Sequence, residues 1–362
     1  MKVLGIETSC DECAAAVVLD GKKILSNVVA TQIPIHAVYN GVVPEIASRM
    51  HTEWINRVVE EALEKASVRV ADIDAVAATA HPGLLGSLLV GISFAKAFAW
   101  ARGIPFVAVD HMLAHLYAPR LEYSGCDEPI CHEVNYPFLG LLVSGGHSFI
   151  CKADNFDDIT VLGATIDDAV GEAFDKVSKH YGFGYPGGAV IDKLAKTGDE
   201  RVFNFPLPSL HKGDHRYDLS YSGLKTAAIN QLDKFCVRKT DEGKMTGCNL
   251  SGNELLLYNP ADIAASFQKT AVDILLRSLF RVVEDTGLKT VIAGGGVAAN
   301  SYLRAALANR KDLICIFPPL ELCGDNGAMV AGIAYQYLAR GEQSSLRTTA
   351  SARVKGFKKP YP

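Results

Sequence analysis

His111 and His115 are the residues on which chemistry can first be built. They stand four apart in Val109-Asp110-His111-Met112-Leu113-Ala114-His115-Leu116. On a helix that spacing puts both imidazoles on one face, one turn apart. Two neutral imidazoles held this way form half of a metal site. A bare pair at this spacing also suits a helix whose histidines only cap or pack. Position favours chemistry, because Pro105-Phe106-Val107-Ala108-Val109 reads as a buried parallel strand. Ligands in open α/β sheets gather at the carboxyl ends of such strands. No glutamate follows the first histidine, so the H-E-x-x-H protease pattern is absent. Near the far end, Cys323-Gly324-Asp325-Asn326-Gly327 opens the last predicted helix. Taken alone, Asp325 is an N-cap, favoured by the exposed N–H groups of a helix start. Yet it follows the last strand of the second half as the histidines follow the last strand of the first. In a duplicated fold those ends face each other across a cleft. Two histidines and one carboxylate with open positions suit non-haem Fe(II), and zinc accepts the same ligands.

Other groups could serve a ligand in that cleft. In Val143-Ser144-Gly145-Gly146-His147 the absent side chains let backbone amides approach an anion, although such a turn also simply joins two hairpin strands. Gly294-Gly295-Gly296 precedes a predicted helix, whose start adds positive potential for a phosphate. Tyr185-Pro186-Gly187-Gly188 opens another helix, flanked by Asp175 and Asp192, which can accept from ribose hydroxyls or stand on solvated helix faces. Asp11 and Glu12 lie in the first hairpin turn. Nine cysteines are scattered without a dense framework and read as reduced thiols. Cys10-x-x-Cys13 has no second C-x-x-C, and Cys126, Cys131 and His132 lack a clear fourth zinc ligand.

These groups need a scaffold. The chain has 362 residues, 49% hydrophobic and 21% charged, which allows two substantial cores. A net charge of −4 excludes a uniformly basic nucleic-acid surface but not a local patch. No signal-peptide core precedes the first strand, and glycines and Lys96 interrupt the most apolar segment, so no membrane span is expected. Periodicity predicts strands at 2–8, 13–19 and 23–30, a helix at 45–65, a strand at 73–80, a helix at 86–102 and a strand at 105–109. The plan then repeats. Strands are expected at 138–144, 147–152 and 159–163, and helices at 167–181, 189–197, 222–237 and 260–286. A strand at 290–293, a helix at 298–309, a strand at 313–317 and a helix at 325–339 complete it. The expected organisation is a first lobe at 1–122, a linker at 123–135 and a second lobe at 136–324 carrying a mobile insertion at 239–253. A closing helix at 325–340 and a disordered tail at 341–362 follow. This duplicated β-β-β-α-β-α plan resembles the α/β, ribonuclease H-like lobes of the actin, sugar-kinase and chaperone-ATPase superfamily. That resemblance implies a ligand cleft between two lobes and by itself carries no function.

The ordered motifs are more specific. Gly5-Ile6-Glu7-Thr8-Ser9-Cys10-Asp11-Glu12, Val43-Pro44-Glu45-Ile46-Ala47-Ser48-Arg49, Asp110-His111-Met112-Leu113-Ala114-His115, Leu142-Val143-Ser144-Gly145-Gly146-His147 and Gly171-Glu172-Ala173-Phe174-Asp175-Lys176 come in sequence. Tyr185-Pro186-Gly187-Gly188, Ser222-Gly223-Leu224-Lys225-Thr226, Gly295-Gly296-Val297-Ala298-Ala299-Asn300 and Asp325-Asn326-Gly327-Ala328-Met329 follow. Together they resemble the TsaD family of tRNA N6-adenosine threonylcarbamoyltransferases, once described as O-sialoglycoprotein endopeptidases. The resemblance spans nearly the whole chain up to the tail. It implies His111, His115 and Asp325 as ligands of one divalent ion, usually iron. It implies Leu142, Val143, Ser144, Gly145, Gly146, Asp175, Gly188, Asp192 and Asn300 as contacts to an adenylate. The chain departs from the pattern at His81, where glycine is usual, at Cys13, where threonine is common, and in the length of the insertion.

The expected reaction is transfer of threonylcarbamoyl from threonylcarbamoyl-AMP to N6 of the adenosine next to the anticodon, in tRNAs reading codons that start with A. Direct attack is expected, since no Ser/His or Cys/His nucleophile is positioned, with Asp11 or Glu12 assisting proton transfer from the amine. The resemblance also implies a small paralogous partner and an ATPase subunit, in the cytoplasm. An ATP-dependent kinase or chaperone-like ATPase on the same architecture is the alternative, and the histidine pair counts against it because magnesium prefers oxygen ligands. A metalloprotease lacks its general-base glutamate.

Overall fold

The computed structural model describes residues 1–39, 41–122, 134–210, 215–239, 245–246, 255–256 and 259–353. The first half runs β1 (Lys2–Glu7), β2 (Glu12–Leu19), β3 (Lys23–Thr31), α1 (Ile33–Ala37), α2 (Pro44–Ala66), β4 (Ala75–His81), α3 (Leu85–Arg102), β5 (Phe106–Asp110) and α4 (His111–Tyr117). The second runs β6 (Phe138–Val143), β7 (Ser148–Ala153), β8 (Ile159–Ala164), α5 (Val170–Tyr181), α6 (Gly187–Ala195), α7 (Ser222–Phe235), β9 (Cys236–Lys239), β10 (Met245–Thr246) and β11 (Leu255–Leu256). It continues through α8 (Pro260–Thr286), β12 (Thr290–Gly294), α9 (Ser301–Ala308), β13 (Ile314–Ile316) and α10 (Gly327–Ala339). The two main sheets have one plan. Their orders, β3-β2-β1-β4-β5 and β8-β7-β6-β12-β13, match strand for strand. In each, three antiparallel strands are extended by two parallel ones.

Both faces of the first sheet are covered, so its central strands are apolar almost throughout. Successive side chains alternate between faces. β1 therefore sends Leu4 and Ile6 into the core under α2 and α3, and Val3 into the core with α10. The two lobes exchange helices. α4 follows β5 of the first sheet, yet its Met112 and Leu116 pack with Phe138, Leu142, Phe149 and Ile292 of the second. α10 follows the second sheet, yet Met329, Val330 and Ile333 pack against the first. That return depends on small residues. A Cβ on Gly5 would lie 2.2 Å from the Gly327 carbonyl oxygen, and one on Gly327 would lie 2.6 Å from the Ala16 nitrogen. No side chain fits between β1 and the first turn of α10.

Several expectations change. The closing helix starts at Gly327, capped by Asn326, whose Oδ1 accepts from Met329 N at 3.0 Å. Asp325 therefore precedes the helix and its carboxylate is not spent on capping. The helix expected at 298–309 is a 3-10 turn, Gly296–Ala299, followed by α9, because Asn300 restarts the helix as its N-cap. α7 ends at Phe235 rather than 237, where β9 begins a small sheet ordered β10-β9-β11. Most of the insertion expected at 239–253 lies outside the described residues, as do Cys126, Cys131 and His132 of the linker. The tail was expected to be disordered, but its described part, 341–353, is bonded to the first lobe. Ser344 N donates to Phe106 O at 2.7 Å, Ala108 N donates to Ser344 Oγ at 2.9 Å, and Ser351 N donates to Ala80 O at 2.9 Å. The physical reason is that β5 is an edge strand with backbone groups left to pair. Residues 354–362 lie outside the described residues.

Gly5→Ala should overpack the β1–α10 contact at a cost of about 1–3 kcal/mol. The thermal unfolding midpoint, followed by circular dichroism, is expected to fall. An unchanged midpoint would mean that the contact relaxes freely.

Candidate functional site

α4 is set by its cap. Asp110 ends β5 in extended conformation, and its Oδ1 accepts from Met112 N at 2.8 Å and Leu113 N at 3.2 Å. The helix then carries Met112 and Leu116 into the second-lobe core, while His111 and His115 share another face. Their rings sit edge to face, with centroids 4.6 Å apart. Asp325 arrives from the opposite end of the chain. Its Oδ1 lies 3.1 Å from His115 Nε2 and 3.4 Å from His111 Nε2. Ser9 Oγ donates to Asp325 Oδ2 at 3.4 Å.

Behind His111 stands Glu7 at the end of β1, fully buried. Its Oε2 lies 3.0 Å from His111 Nδ1 and accepts from Thr79 Oγ1, while Oε1 accepts from Ser9 N. Sequence reading assigned Glu7 no role. Its only signal was a carboxylate at the end of an otherwise apolar strand. Electrostatics bind the group together. Burial alone would lower His111, but Asp325 and Glu7 raise it to about 9. Burial would raise Asp325, but His111 and His115 hold it well below the ordinary carboxylate range. Glu7 behaves likewise, with His111 outweighing burial. His115 is lowered by burial and then by the charge of His111. Burial, then His111 and His115, pull His147 down to about 4.

The donor set fits a metal ion. One ligand atom from each of His111, His115 and Asp325 lies within 4.8 Å of the others. Ligands about 2.1 Å from a common ion at tetrahedral or octahedral angles stand about 3.0–3.4 Å apart, as the two His–Asp separations do. A carboxylate on the far nitrogen of a ligating histidine orients the ring, which is the position Glu7 takes on His111. A proton on His111 Nε2 occupies the place that a cation of higher charge would take.

The substrate side is built from backbone. Ser144 N donates to His147 O at 2.8 Å and His147 N donates to Ser144 Oγ at 3.1 Å, which closes the β6–β7 turn. Space is open above Gly145 and Gly146. The side chains of Leu142 and Val143 are wholly buried, so only their backbone can meet a ligand. Gly295, at φ 89°, lets its turn lie on the Val143 carbonyl, where a Cβ would come within 2.4 Å. Asp175 Oδ1 accepts from Gly187 N at 2.7 Å. Burial pushes the carboxyl up to about 6 against the pull of the Gly187 and Gly188 amides. Asp192 Oδ1 accepts from Ser301 N and Oγ at 3.1 and 2.8 Å. Asn300 Oδ1 accepts from Leu303 N at 3.0 Å, and its Nδ2 donates to Gln268 Oε1 at 2.9 Å. Asp192 and Asn300 thus already hold α9 in place.

Asp11 and Glu12 sit between the two sides. Burial, then Asp325 and Asp11, push Glu12 up to about 10. Tyr185 was given no role, yet after burial the charges that raise it are Asp11, Asp175, Cys10 and Glu12. It therefore stands where the first hairpin turn faces α5. Cys10 and Cys13 are free thiols, and burial pushes Cys13 up to about 12, so the pair is no thiolate site.

The family described as TsaD, tRNA N6-adenosine threonylcarbamoyltransferase, matches residues 23–332. A protein of that name from Treponema denticola is 60% identical over 359 residues, covering 99% of each chain. One from Treponema pallidum is 52% identical, covering 99% of this chain and 95% of its own. Among solved structures, component A of (R)-2-hydroxyglutaryl-CoA dehydratase from Acidaminococcus fermentans superposes with a TM-score of 0.53 at 14% identity, covering 94% of this chain and 99% of its own. That likeness concerns the two-lobed fold alone. Among the described residues, no helix is long and apolar enough to cross a membrane.

In metal-stripped protein His111 stands at about 9 against an ordinary 6.5. A folded value raised above the unfolded one stabilises fully below about 6.5 and is lost as pH rises through about 9. The thermal midpoint should therefore fall between about pH 7 and 10, and fall less in His111→Gln; equal slopes would deny the buried imidazolium its role.

Proposed function

The chain belongs to the TsaD family of tRNA N6-adenosine threonylcarbamoyltransferases and is a transferase, and from that premise we propose the reaction in detail. The threonylcarbamoyl group of threonylcarbamoyl-AMP passes to N6 of the adenosine next to the anticodon, in tRNAs reading codons that start with A. The observation carrying this reading is the meeting of His111, His115 and Asp325 beside an open glycine turn.

The donor is a mixed anhydride and needs no further activation. The adenine amine attacks the carbamoyl carbon, a C–N bond forms, the C–O bond to phosphate breaks, and AMP leaves. Amides of Gly145 and Gly146 hold the phosphate, and Asp175 with the start of α6 at Gly187 and Gly188 receives the ribose. Fe(II), or zinc in its place, held by His111, His115 and Asp325, supplies Lewis acidity at a donor oxygen. Asp192 and Asn300 act by fixing α9 behind the nucleotide. Glu12 keeps its proton at neutral pH and cannot serve as base, which leaves Asp11 to take the amine proton. Raised Cys10 and Cys13 thiols argue against a covalent enzyme intermediate. Holding amine and carbonyl in contact contributes much of the rate.

A chain of net charge −4 gains from helpers when it docks tRNA in the cytoplasm. Leu85, Leu89 and Trp100 are exposed along one stripe of α3. That stripe supports docking of a small paralogous subunit, with an ATPase subunit joining the assembly. A kinase or chaperone-like ATPase finds less support, because nitrogen ligands suit magnesium poorly.

Asp325→Ala should lose bound metal and tRNA modification together, read by elemental analysis and by nucleoside mass spectrometry. Modification that persists without metal would reject the ion's role. Asp11→Asn should slow transfer by about 10²–10⁴, while Glu12→Gln keeps most of the rate. The opposite ranking would reassign the base.

A further inference from the structure

A second cavity, of about 320 Å3, opens between the lobes without using any of the three metal-ligand side chains. Its walls come from the ends of β4 and β5, the cap of α4, the start of β8 and the segment after α10. At about 300–1,000 Å3 ligand pockets begin, so this one suits a small molecule. No lysine or arginine lines it, whereas Asp110, Asp157 and Glu342 do. Arg340 answers Asp157 at 2.8 Å. Asp110 is answered only in part. Its Oδ1 is spent on capping α4, while Oδ2, in a side chain 5% exposed, accepts no hydrogen bond among the described residues. The imidazole of His81 is nearest, with Nε2 at 3.4 Å. A buried carboxylate oxygen without a donor is costly and calls for a partner. Beside it the wall is apolar, formed by Val107, Leu113 and Ile159.

We propose that this cavity binds a small organic cation, with an ammonium or guanidinium head on Asp110 Oδ2 and toward Glu342, and a short hydrocarbon body against Val107, Leu113 and Ile159. A neutral or anionic ligand would leave Asp110 unanswered. A bare divalent ion would lack ligands, since the one described group able to hold a metal is His111, His115 and Asp325. Because β5 and β8 are edge strands of different sheets, an occupant would touch both lobes.

The test is calorimetric titration of the full chain with n-butylguanidinium, against n-butylurea as neutral isostere. Saturable binding at one site per chain is expected for the cation and none for the urea. Asp110→Asn retains a good N-cap but removes the charge, and should weaken binding at least tenfold. Glu342→Gln, at an exposed position whose folding is secure, should weaken it severalfold and decides the matter if Asp110→Asn unfolds. Absence of saturable binding, equal binding of the urea, or affinity unchanged in the variants would overturn the proposal.

Discussion

The site exists because β1 and α10 touch backbone to backbone. With glycine at Gly5 and Gly327, the first turn of α10 lies directly on the sheet, and Asp325 emerges two residues earlier at the end of β1. One methyl group on either glycine would push the helix outward, and Asp325 with it. The exchange of helices supplies the other half. α4 leaves the first sheet to pack on the second, so its histidine face looks back at the residue α10 delivers. Neither lobe alone contains the ligand set.

Charge makes this packing selective. Two carboxylates, Glu7 and Asp325, are buried around one imidazole, an arrangement that would be prohibitive unless something positive stood between them. Glu7 is satisfied by Thr79, by the Ser9 amide and by His111. Asp325 is satisfied by the two Nε2 atoms and by Ser9. Ser9 thus serves both carboxylates from one hairpin turn, the turn that also presents Asp11 and Glu12. Metal ligation and proton transfer are mounted on the same strand end.

Much of this was legible in the amino-acid pattern. The i, i+4 histidines, the apolar strand before them and the repeated strand–turn–helix order led to the two matched sheets and to the convergence of His111, His115 and Asp325. What stayed hidden depends on tertiary neighbours. Asp325 and Asn326 are both good caps, and only the approach of α10 to the sheet decides that Asn326 caps while Asp325 is left for the histidines. Glu7 looked like one residue of a motif, since spacing cannot reveal that β1 ends beneath α4. Asp192 and Asn300 were singled out as ligand contacts, yet the structure shows them engaged with α9. The bonding of residues 341–353 to an edge strand has no local signature in a polar, aperiodic segment.

The most direct measurement is anomalous diffraction from crystals of the purified protein at the iron and zinc absorption edges. One strong peak is predicted, about 2.0–2.3 Å from His111 Nε2, His115 Nε2 and an Asp325 oxygen. A metal-loaded crystal with no peak there, or with the Asp325 carboxylate turned away and the ion bound elsewhere, would contradict the account.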